Sequence, residues 1–193
     1  MDLGSATEHC GKSIAEANFS EKNFSNYLFE DCVFEKCDFR ECNFLRSQFV
    51  GCGFNFCDLS NAKFGNSRVR ETSFLECKLL GIQWTQLADL TNPKFKESNL
   101  SYGNFVGLKL KKVLFHKCRI HDADFSQADL SEADLRDSDL LHTRFHSTLL
   151  QKADFRGALN YLIDPMGNKI RGARFSLPEA QSLLLGLGVV IDS

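Results

Sequence analysis

The sequence predicts a solenoid of short repeated units rather than an ordinary helical or sheet domain. Three observations predict this architecture. A large apolar residue recurs every five residues, a small residue usually stands two positions before it, and the 193 residues include 18 Phe and 8 Cys but one Trp. A period of five matches neither the 3.6-residue turn of a helix nor the two-residue alternation of a strand. A coil that turns a corner every five residues satisfies it.

The repeat array covers residues 17–157. Its 28 large apolar positions, here called centres, hold 16 of the 18 Phe. The centres are Phe19, Phe24, Phe29, Phe34, Phe39, Phe44, Phe49, Phe54, Leu59, Phe64, Val69, Phe74, Leu79, Trp84, Leu90, Phe95, Leu100, Phe105, Leu110, Phe115, Ile120, Phe125, Leu130, Leu135, Leu140, Phe145, Leu150 and Phe155. Each unit alone buries little surface, so stability must come from stacking neighbouring units.

The position two residues before a centre, here called the small position, explains the cysteines. Ala, Cys, Ser, Thr or Gly fills 22 of these 28 places. Seven of the eight cysteines occupy it, namely Cys32, Cys37, Cys42, Cys52, Cys57, Cys77 and Cys118. Stacked side chains that point in parallel suit a disulfide torsion poorly, and a buried Cys packs as a small hydrophobe. We therefore expect core packing, with no metal and no cofactor.

One step of the repeat is six residues long, at residues 85–89 between Trp84 and Leu90. The extra residue can be absorbed as a bulge at a corner. It can also act as a hinge that kinks the rod between two halves. The sequence leaves both alternatives open.

The array is flanked by a predicted N-terminal leader, residues 1–16, and a C-terminal segment, residues 158–193. Ser176 followed by Glu179 predicts a capping box that opens a helix. The helix and the apolar tail after it either seal the end of the rod, form a symmetric dimer, or do both. The residues expected at such a dimer interface are Leu183, Leu184, Leu187, Val189 and Ile191.

Composition excludes several functional classes. The formal net charge of -2 argues against direct nucleic-acid binding. The chain contains no apolar run of about 18 residues and no signal-peptide pattern at its start, so we expect no membrane span and a cytoplasmic location. Since no phosphate-binding loop, nucleophile elbow or HExxH motif occurs, we expect no enzyme activity and no catalytic residues.

Two bands of opposite charge lie next to each other in the array. The basic coil, residues 109–119, holds five Lys and Arg residues and no acid. The acidic coil, residues 122–139, holds seven acids against Arg136, and these acids are Asp122, Asp124, Asp129, Glu132, Asp134, Asp137 and Asp139. Either the two bands merely solvate the rod and pair with each other, or the acidic coil binds a basic partner.

Residues 123–137 read Ala-Asp-Phe-Ser-Gln, Ala-Asp-Leu-Ser-Glu and Ala-Asp-Leu-Arg-Asp. These units resemble the pentapeptide-repeat family, whose unit is A-(D/N)-L-X-X with Phe often replacing Leu. The resemblance implies an all-β, right-handed quadrilateral β-helix with four pentapeptides per coil and a C-terminal capping or dimerisation α-helix. About seven coils at the roughly 4.8 Å spacing of adjacent strands give a rod about 34 Å long.

Two further stretches narrow the resemblance: Leu-Gly-Val-Val-Ile at residues 187–191 and Leu-Gly-Ile-Gln-Trp at residues 80–84. They resemble the branch that contains the Qnr quinolone-resistance proteins, MfpA and the immunity protein McbG. That branch implies a homodimer joined through its C-terminal helix. It also implies binding to DNA gyrase or topoisomerase IV, partly by imitating duplex DNA, and protection of the enzyme from quinolone-type drugs or a peptide toxin.

One departure from that branch matters. Qnr proteins carry long loop insertions in their repeats, whereas the longest insertion here is a single residue. The likeness therefore leans towards MfpA and McbG. The alternative is a pentapeptide-repeat scaffold or protein-interaction module with a different partner.

Overall fold

The computed structural model describes residue 3 and residues 6–189. Within them the chain forms eleven three-residue strands: β1 Glu8–Cys10, β2 Ser13–Ala15, β3 Leu28–Glu30, β4 Val33–Glu35, β5 Gln48–Val50, β6 Gly53–Asn55, β7 Arg68–Arg70, β8 Ser73–Leu75, β9 Asp89–Thr91, β10 Lys94–Lys96 and β11 Leu114–His116. Two 3-10 helices span Trp84–Gln86 and Glu179–Gln181, and helix α1 spans Ser182–Leu185.

Strands twenty residues apart stack in parallel on two sides of a four-sided coil. Face 1 carries the sheet β1-β3-β5-β7-β9, and face 2 carries the sheet β11-β10-β8-β6-β4-β2. Faces 3 and 4 pair through isolated parallel bridges. Representative centres are Phe29 and Leu90 on face 1, Phe34 and Phe95 on face 2, Phe39 and Leu100 on face 3, and Phe44 and Phe105 on face 4. The predicted all-β solenoid is confirmed.

The stacking begins inside the segment that was predicted to be a leader, residues 1–16. Strands β1 and β2 lie there and pair in register with the next coil. His9 occupies the place of a centre, where it is buried and its ring stacks on Phe29 with centroids 5.3 Å apart. Burial lowers the pKa of His9, which favours the neutral ring that can pack like an aromatic residue.

The stacking also continues past residue 157. Arg174 pairs with Asp154, and the ring of Phe175 stacks on Phe155 at 5.2 Å. Counted by its continuous strands, the solenoid has slightly fewer coils than the predicted seven. Continuous strands account for about five coils, because the face 1 sheet has five strands, and isolated bridges extend the ladder further.

The core follows the predicted pattern closely. All the centres from Phe19 to Phe155 are buried except Leu90, which is half-buried. The rings of neighbouring aromatic centres stack along each face. The ring centroids of Phe54 and Phe74 are 5.2 Å apart, and those of Phe74 and Phe95 are also 5.2 Å apart. The seven small-position cysteines are buried thiols, as predicted. Burial raises the pKa of Cys42 to about 12.

The corners depend on a left-handed residue, here called the corner residue, which stands two positions after every centre except Trp84. Glu21, Glu41, Asp122 and Lys152 are examples, with φ between 53° and 61°. A positive φ is uncommon for a residue other than glycine, and it lets the chain turn within two residues. Charged residues at these corners point away from the core, and the repeat tolerates either sign of charge there.

The six-residue step is absorbed at a corner. Trp84–Gln86 forms a 3-10 turn in which Leu87 N–H donates to Trp84 O at 3.2 Å. Pairing with the coil before it then resumes, because Asp89 lies opposite Arg68. This arrangement corresponds to the bulge alternative.

The C-terminal helix is present but short, and it does not begin with the predicted capping box. The Ser176 hydroxyl accepts the Gly157 N–H at 2.9 Å, so it closes the last coil instead of capping the helix. Pro178 stands at the start of the 3-10 turn, which has no side-chain cap among the described residues. The helices found between residues 6 and 189 are all too short or too polar to cross a membrane.

Candidate interaction surfaces

The acids of the acidic coil encircle the rod instead of forming a stripe along it. We call this ring of acids the acidic collar, or the collar. Four of its acids stand directly before a centre, one on each face: Asp124, Asp129, Asp134 and Asp139. The other three are corner residues with positive φ: Asp122, Glu132 and Asp137. Every side of this coil therefore presents negative charge. The predicted site residues are brought together in one layer.

The aspartates that directly precede the centres stabilise the turns that follow those centres. Asp124 Oδ1 accepts the Ser126 N–H at 2.9 Å, and Asp129 Oδ1 accepts the Ser131 N–H at 2.9 Å. Such a bond holds the turn that follows the centre, which is why Asp and Asn recur at this position. These carboxylates are partly buried, and replacing either one would remove its bond to the turn.

Asp134 combines the same turn bond with an ion pair. Its carboxylate accepts the Arg136 N–H at 3.1 Å and the Arg136 guanidinium at 2.6 Å. The guanidinium hydrogen bond lowers the pKa of the Asp134 carboxyl. The same pairing occurs between Asp154 and Arg156.

The corner acids are exposed and contact basic side chains of the adjacent coils. Glu132 Oε1 lies 3.2 Å from Lys111 Nζ, and Glu132 Oε2 lies 3.6 Å from Lys112 Nζ. Asp122 Oδ1 lies 3.3 Å from His142 Nδ1, and Asp137 Oδ2 lies 3.9 Å from His116 Nδ1. Exposed pairs of this kind contribute little to stability, so these acids are the ones free to serve a binding role.

The basic coil stacks directly against the collar. Its backbone forms β-bridges from Lys109 to Asp129 and from Arg119 to Asp139. The charged side chains of Lys111 and Lys112 contact Glu132 in the collar. The two bands therefore pair across adjacent coils, as one of the two alternatives predicted. The pairing makes the surface alternate in sign along the axis, so the rod differs from duplex DNA, whose charge has one sign.

His121 contacts the collar through an aspartate. Its Nε2 lies 2.7 Å from Asp139 Oδ2. Burial acts to raise the pKa of Asp139, but hydrogen bonds from Asn160 and His121 outweigh it and lower that pKa. Among the residues described, no three His, Cys, Asp or Glu side chains are placed to hold a metal ion.

The C-terminal end places the predicted interface residues in two environments. Leu183 is half-buried and packs against the core of the rod. Leu184, Leu187 and Val189 are 44%, 49% and 46% exposed, which leaves an apolar patch at the end of the molecule. Ile191 lies outside the described residues. Leu183 therefore serves the cap, and the other three described residues are available to a partner.

Sequence reasoning missed a second function of the small position. Ser47 Oγ donates to Phe24 O at 2.6 Å, and Ser138 Oγ donates to Phe115 O at 2.6 Å. Cys42 Sγ lies 2.8 Å from Phe19 O in the same arrangement. Each bond ties one coil to the coil before it. The preference for Ser, Thr and Cys over Ala at these places was the signal for it.

Comparison with known families agrees with this architecture. Residues 22–105 match the family described as "Pentapeptide repeat region", and residues 94–131 and 118–157 match "Pentapeptide repeats (8 copies)". Together these matches span most of the chain. The chain belongs to the pentapeptide-repeat family. No curated protein sequence gives a significant match to it.

Among solved pentapeptide-repeat structures, this chain is similar to QnrB1, described as a plasmid-mediated fluoroquinolone resistance protein. Against a trypsin-treated point variant of QnrB1, the TM-score is 0.69 at 22% identity, covering 96% of this chain and 100% of that chain. Against full-length QnrB1, the TM-score is 0.66 at 22% identity, covering 94% and 97%. At this identity the likeness establishes the pentapeptide-repeat fold over nearly the whole of both chains.

Proposed function

We propose that this protein is a non-enzymatic binding protein whose partner is a type II topoisomerase, either DNA gyrase or topoisomerase IV. Binding protects that enzyme from a quinolone-type drug or a peptide toxin. The observation that carries the proposal is the end-to-end structural likeness to QnrB1, whose description names fluoroquinolone resistance. We also propose a cytoplasmic location for the protein, because topoisomerases act on chromosomal DNA.

The acidic collar is the surface we assign to the partner. A topoisomerase binds DNA in a positively charged channel, and a rod that carries a ring of carboxylates can enter such a channel in any rotational setting. The collar imitates DNA only locally, because the basic coil lies beside it. Shape must therefore contribute as much to binding as charge does.

The collar can be tested without disturbing the turns. Asp122, Glu132 and Asp137 are corner residues, and Lys already stands at equivalent left-handed corners such as Lys36 and Lys152. Changing all three acids to Lys should therefore preserve the fold and abolish protection. The measurement is gyrase supercoiling with a quinolone or microcin, with and without the protein.

The matched control reverses three corner acids outside the collar, Glu21→Lys, Glu41→Lys and Glu76→Lys. These residues have positive φ like the collar corners. The control should keep full protection. Equal protection by both triple variants would clear the collar of any role. If the unaltered protein neither rescues supercoiling nor captures gyrase, the topoisomerase proposal fails and a scaffold with another partner becomes the better account.

We also propose that the exposed apolar patch at the C-terminal end joins two copies of the chain. Leu184 is 44% exposed on helix α1, and a monomer gains by covering such a patch. Leu184→Asp should therefore yield monomers in sedimentation velocity, whereas the unaltered chain sediments as a dimer. Phe56→Asp, at a residue that is also 44% exposed but lies at a corner in the N-terminal half of the array, is the control and should leave the mass unchanged. A monomeric unaltered chain would restrict the helix to capping.

A further inference from the structure

The ladder on face 1 opens between two successive coils. Strand β9 pairs with β7 before it, yet no bridge joins it to Lys109 in the coil after it within the described chain. In the next coil the Leu110 N–H donates to Asp129 O at 2.8 Å and the Lys112 N–H to Ser131 O at 2.9 Å. The equivalent N–H groups of Leu90 and Asn92 have no such acceptor among the residues described.

The other three faces remain closed through the same coils. Strand β10 pairs with β11 on face 2, Asn99 bridges to Arg119 on face 3, and Asn104 bridges to Asp124 on face 4. The opening is therefore a local cleft in one wall of the rod. It is not a break between two domains.

Two sequence features account for the opening. The six-residue step ends on face 1 and displaces Leu90, the half-buried centre. The small positions on either side of the gap hold Ala88 and Leu108, which have no hydroxyl or thiol. At the equivalent positions of earlier coils, Ser47 and Ser67 donate to a carbonyl of the preceding coil. Absence of that bond alone leaves a coil paired, as at Ala128, so we assign the separation to the displaced Leu90 together with the bulky Leu108.

The cleft is large enough for part of a peptide. Its main lobe has a volume of about 410 Å³, lined by Glu71, segment 90–94 and segment 109–114. A second lobe of about 280 Å³ shares Leu90, Thr91 and Lys109 with it and has Trp84 in its wall. Unpaired backbone groups and an apolar floor together are features of a site where an extended chain can add.

The charge of the cleft is positive. Four lysines line it, namely Lys94, Lys109, Lys111 and Lys112. Lys94 and Lys109 make no ion pair within the described residues, and the other two share Glu132. Two acids lie nearby: Glu71 accepts a hydrogen bond from the Asn92 side-chain amide and keeps its charge, whereas Asp89 pairs with Arg70. The four lysines therefore outnumber the one unpaired acid of the described lining.

We propose that this cleft, here called the face 1 cleft, binds an extended acidic segment of a partner protein. The segment's backbone pairs with the free N–H groups of Leu90 and Asn92, and its carboxylates reach Lys94 and Lys109. This gives the basic coil a function beyond solvation. The proposal stands independently of the topoisomerase partner and of the acidic collar.

The direct test is fluorescence anisotropy with a labelled eight-residue peptide of alternating Glu and Thr. We expect saturable binding that weakens with salt. A second peptide, in which alternate amides are replaced by alkene isosteres, keeps the charge and loses the backbone carbonyls that would accept from Leu90 and Asn92, and it should bind at least tenfold more weakly. Equal binding of the two peptides, or equal binding of a DNA oligonucleotide of the same charge, would overturn the proposal.

Charge reversal locates the site. Lys94→Glu with Lys109→Glu should lower peptide affinity at least tenfold. Lys22→Glu with Lys63→Glu makes the same charge change at two exposed lysines on face 4 and should alter affinity less than twofold. A similar loss in both double variants would mean that the peptide senses net charge and not the cleft.

Amide hydrogen exchange tests the opening itself in the free protein. The Leu90 and Asn92 N–H groups should exchange at least tenfold faster than those of Leu110 and Lys112, which are bonded to the next coil. Added peptide should slow the first pair and leave the second pair unchanged. Equal protection of both pairs in the free protein would show a closed ladder and remove the proposal.

Discussion

At the scale of the residue, each position of the five-residue unit has a fixed structural role. The centre fills the core, the small position packs beside it and ties coils together, the residue before the centre holds the turn, and the corner residue supplies a positive φ. This division explains 16 of the 18 Phe and seven of the eight Cys as packing residues. It also separates acids that hold turns from acids that are free to bind.

The tie made by the small position predicts a measurable loss on mutation. Ser138 is buried, donates to Phe115 O at 2.6 Å and accepts the Cys118 N–H at 2.9 Å. Ser138→Ala removes both bonds and leaves two buried backbone groups unpaired, which should cost about 1–3 kcal/mol of unfolding free energy. Urea denaturation measures it.

Ser138→Cys is the matched control for that change. Cys37, Cys57, Cys77 and Cys118 occupy the same column of face 3, so a thiol fits there and can still donate. Its loss should be clearly smaller than that of Ser138→Ala. An equal loss for the two variants would mean that packing, and not the hydrogen bond, sets the residue at this position.

At the scale of the element, the strands and the C-terminal helix have different origins. A three-residue strand is too short to be stable alone, and it forms because the equivalent segments of neighbouring coils pair with it. Helix α1 has only four residues, and it persists because the end of the helix packs closely on residues 163–165. A Cβ placed on Gly186 would lie 2.8 Å from the Pro165 ring and 3.2 Å from Ile163 O.

This close approach predicts that Gly186→Ala displaces the helix. Because backbone atoms of residues 163–164 cannot move aside easily, the variant should lose about 1–3 kcal/mol of stability by overpacking. Gln181→Ala, at an exposed residue of the same segment, should be nearly neutral. Thermal unfolding followed by circular dichroism compares them. A neutral Gly186→Ala would show that the helix docks more loosely than the structure indicates.

At the scale of the whole molecule, stability depends on pH at both ends of the range. Guanidinium hydrogen bonds lower the pKa of Asp38, Asp134 and Asp154 below the ordinary 3.8. Such carboxyls stabilise the fold above that value, and the contribution is lost as pH falls through their lower folded pKa. Since these pairs are largely exposed, the acid loss should be gradual and modest.

The buried thiols make the stability of the fold decrease at alkaline pH. Burial raises the pKa of Cys42, Cys52 and Cys118 from 9.0 to about 12. Their contribution is complete below pH 9 and is lost as pH rises towards 12, since the unfolded chain ionises first. The melting temperature should therefore fall above pH 9. The triple variant of these cysteines to Ala should flatten that decline, and an unchanged alkaline slope would contradict this account.

Much of this protein could be predicted from sequence. The period of five determined the solenoid, the buried centres and the burial of seven cysteines, because these depend on residues within one unit. The acidic coil could be located in the same way, since twenty consecutive residues make one coil. The start of the array was placed too late, because His9 stands where the pattern asks for Phe.

The remaining features depend on contacts about twenty residues apart, which the five-residue pattern does not specify. Ser176 accepts the Gly157 N–H instead of capping a helix because the last coil brings that donor to it. The collar's carboxylates meet bases of the coils on either side, and face 1 opens at Leu90 because one extra residue and Leu108 act together across neighbouring coils. Sequence by itself determined the unit and its interior. The stacking of one coil on the next decided which outward groups are paired, which are free and where the wall of the rod opens.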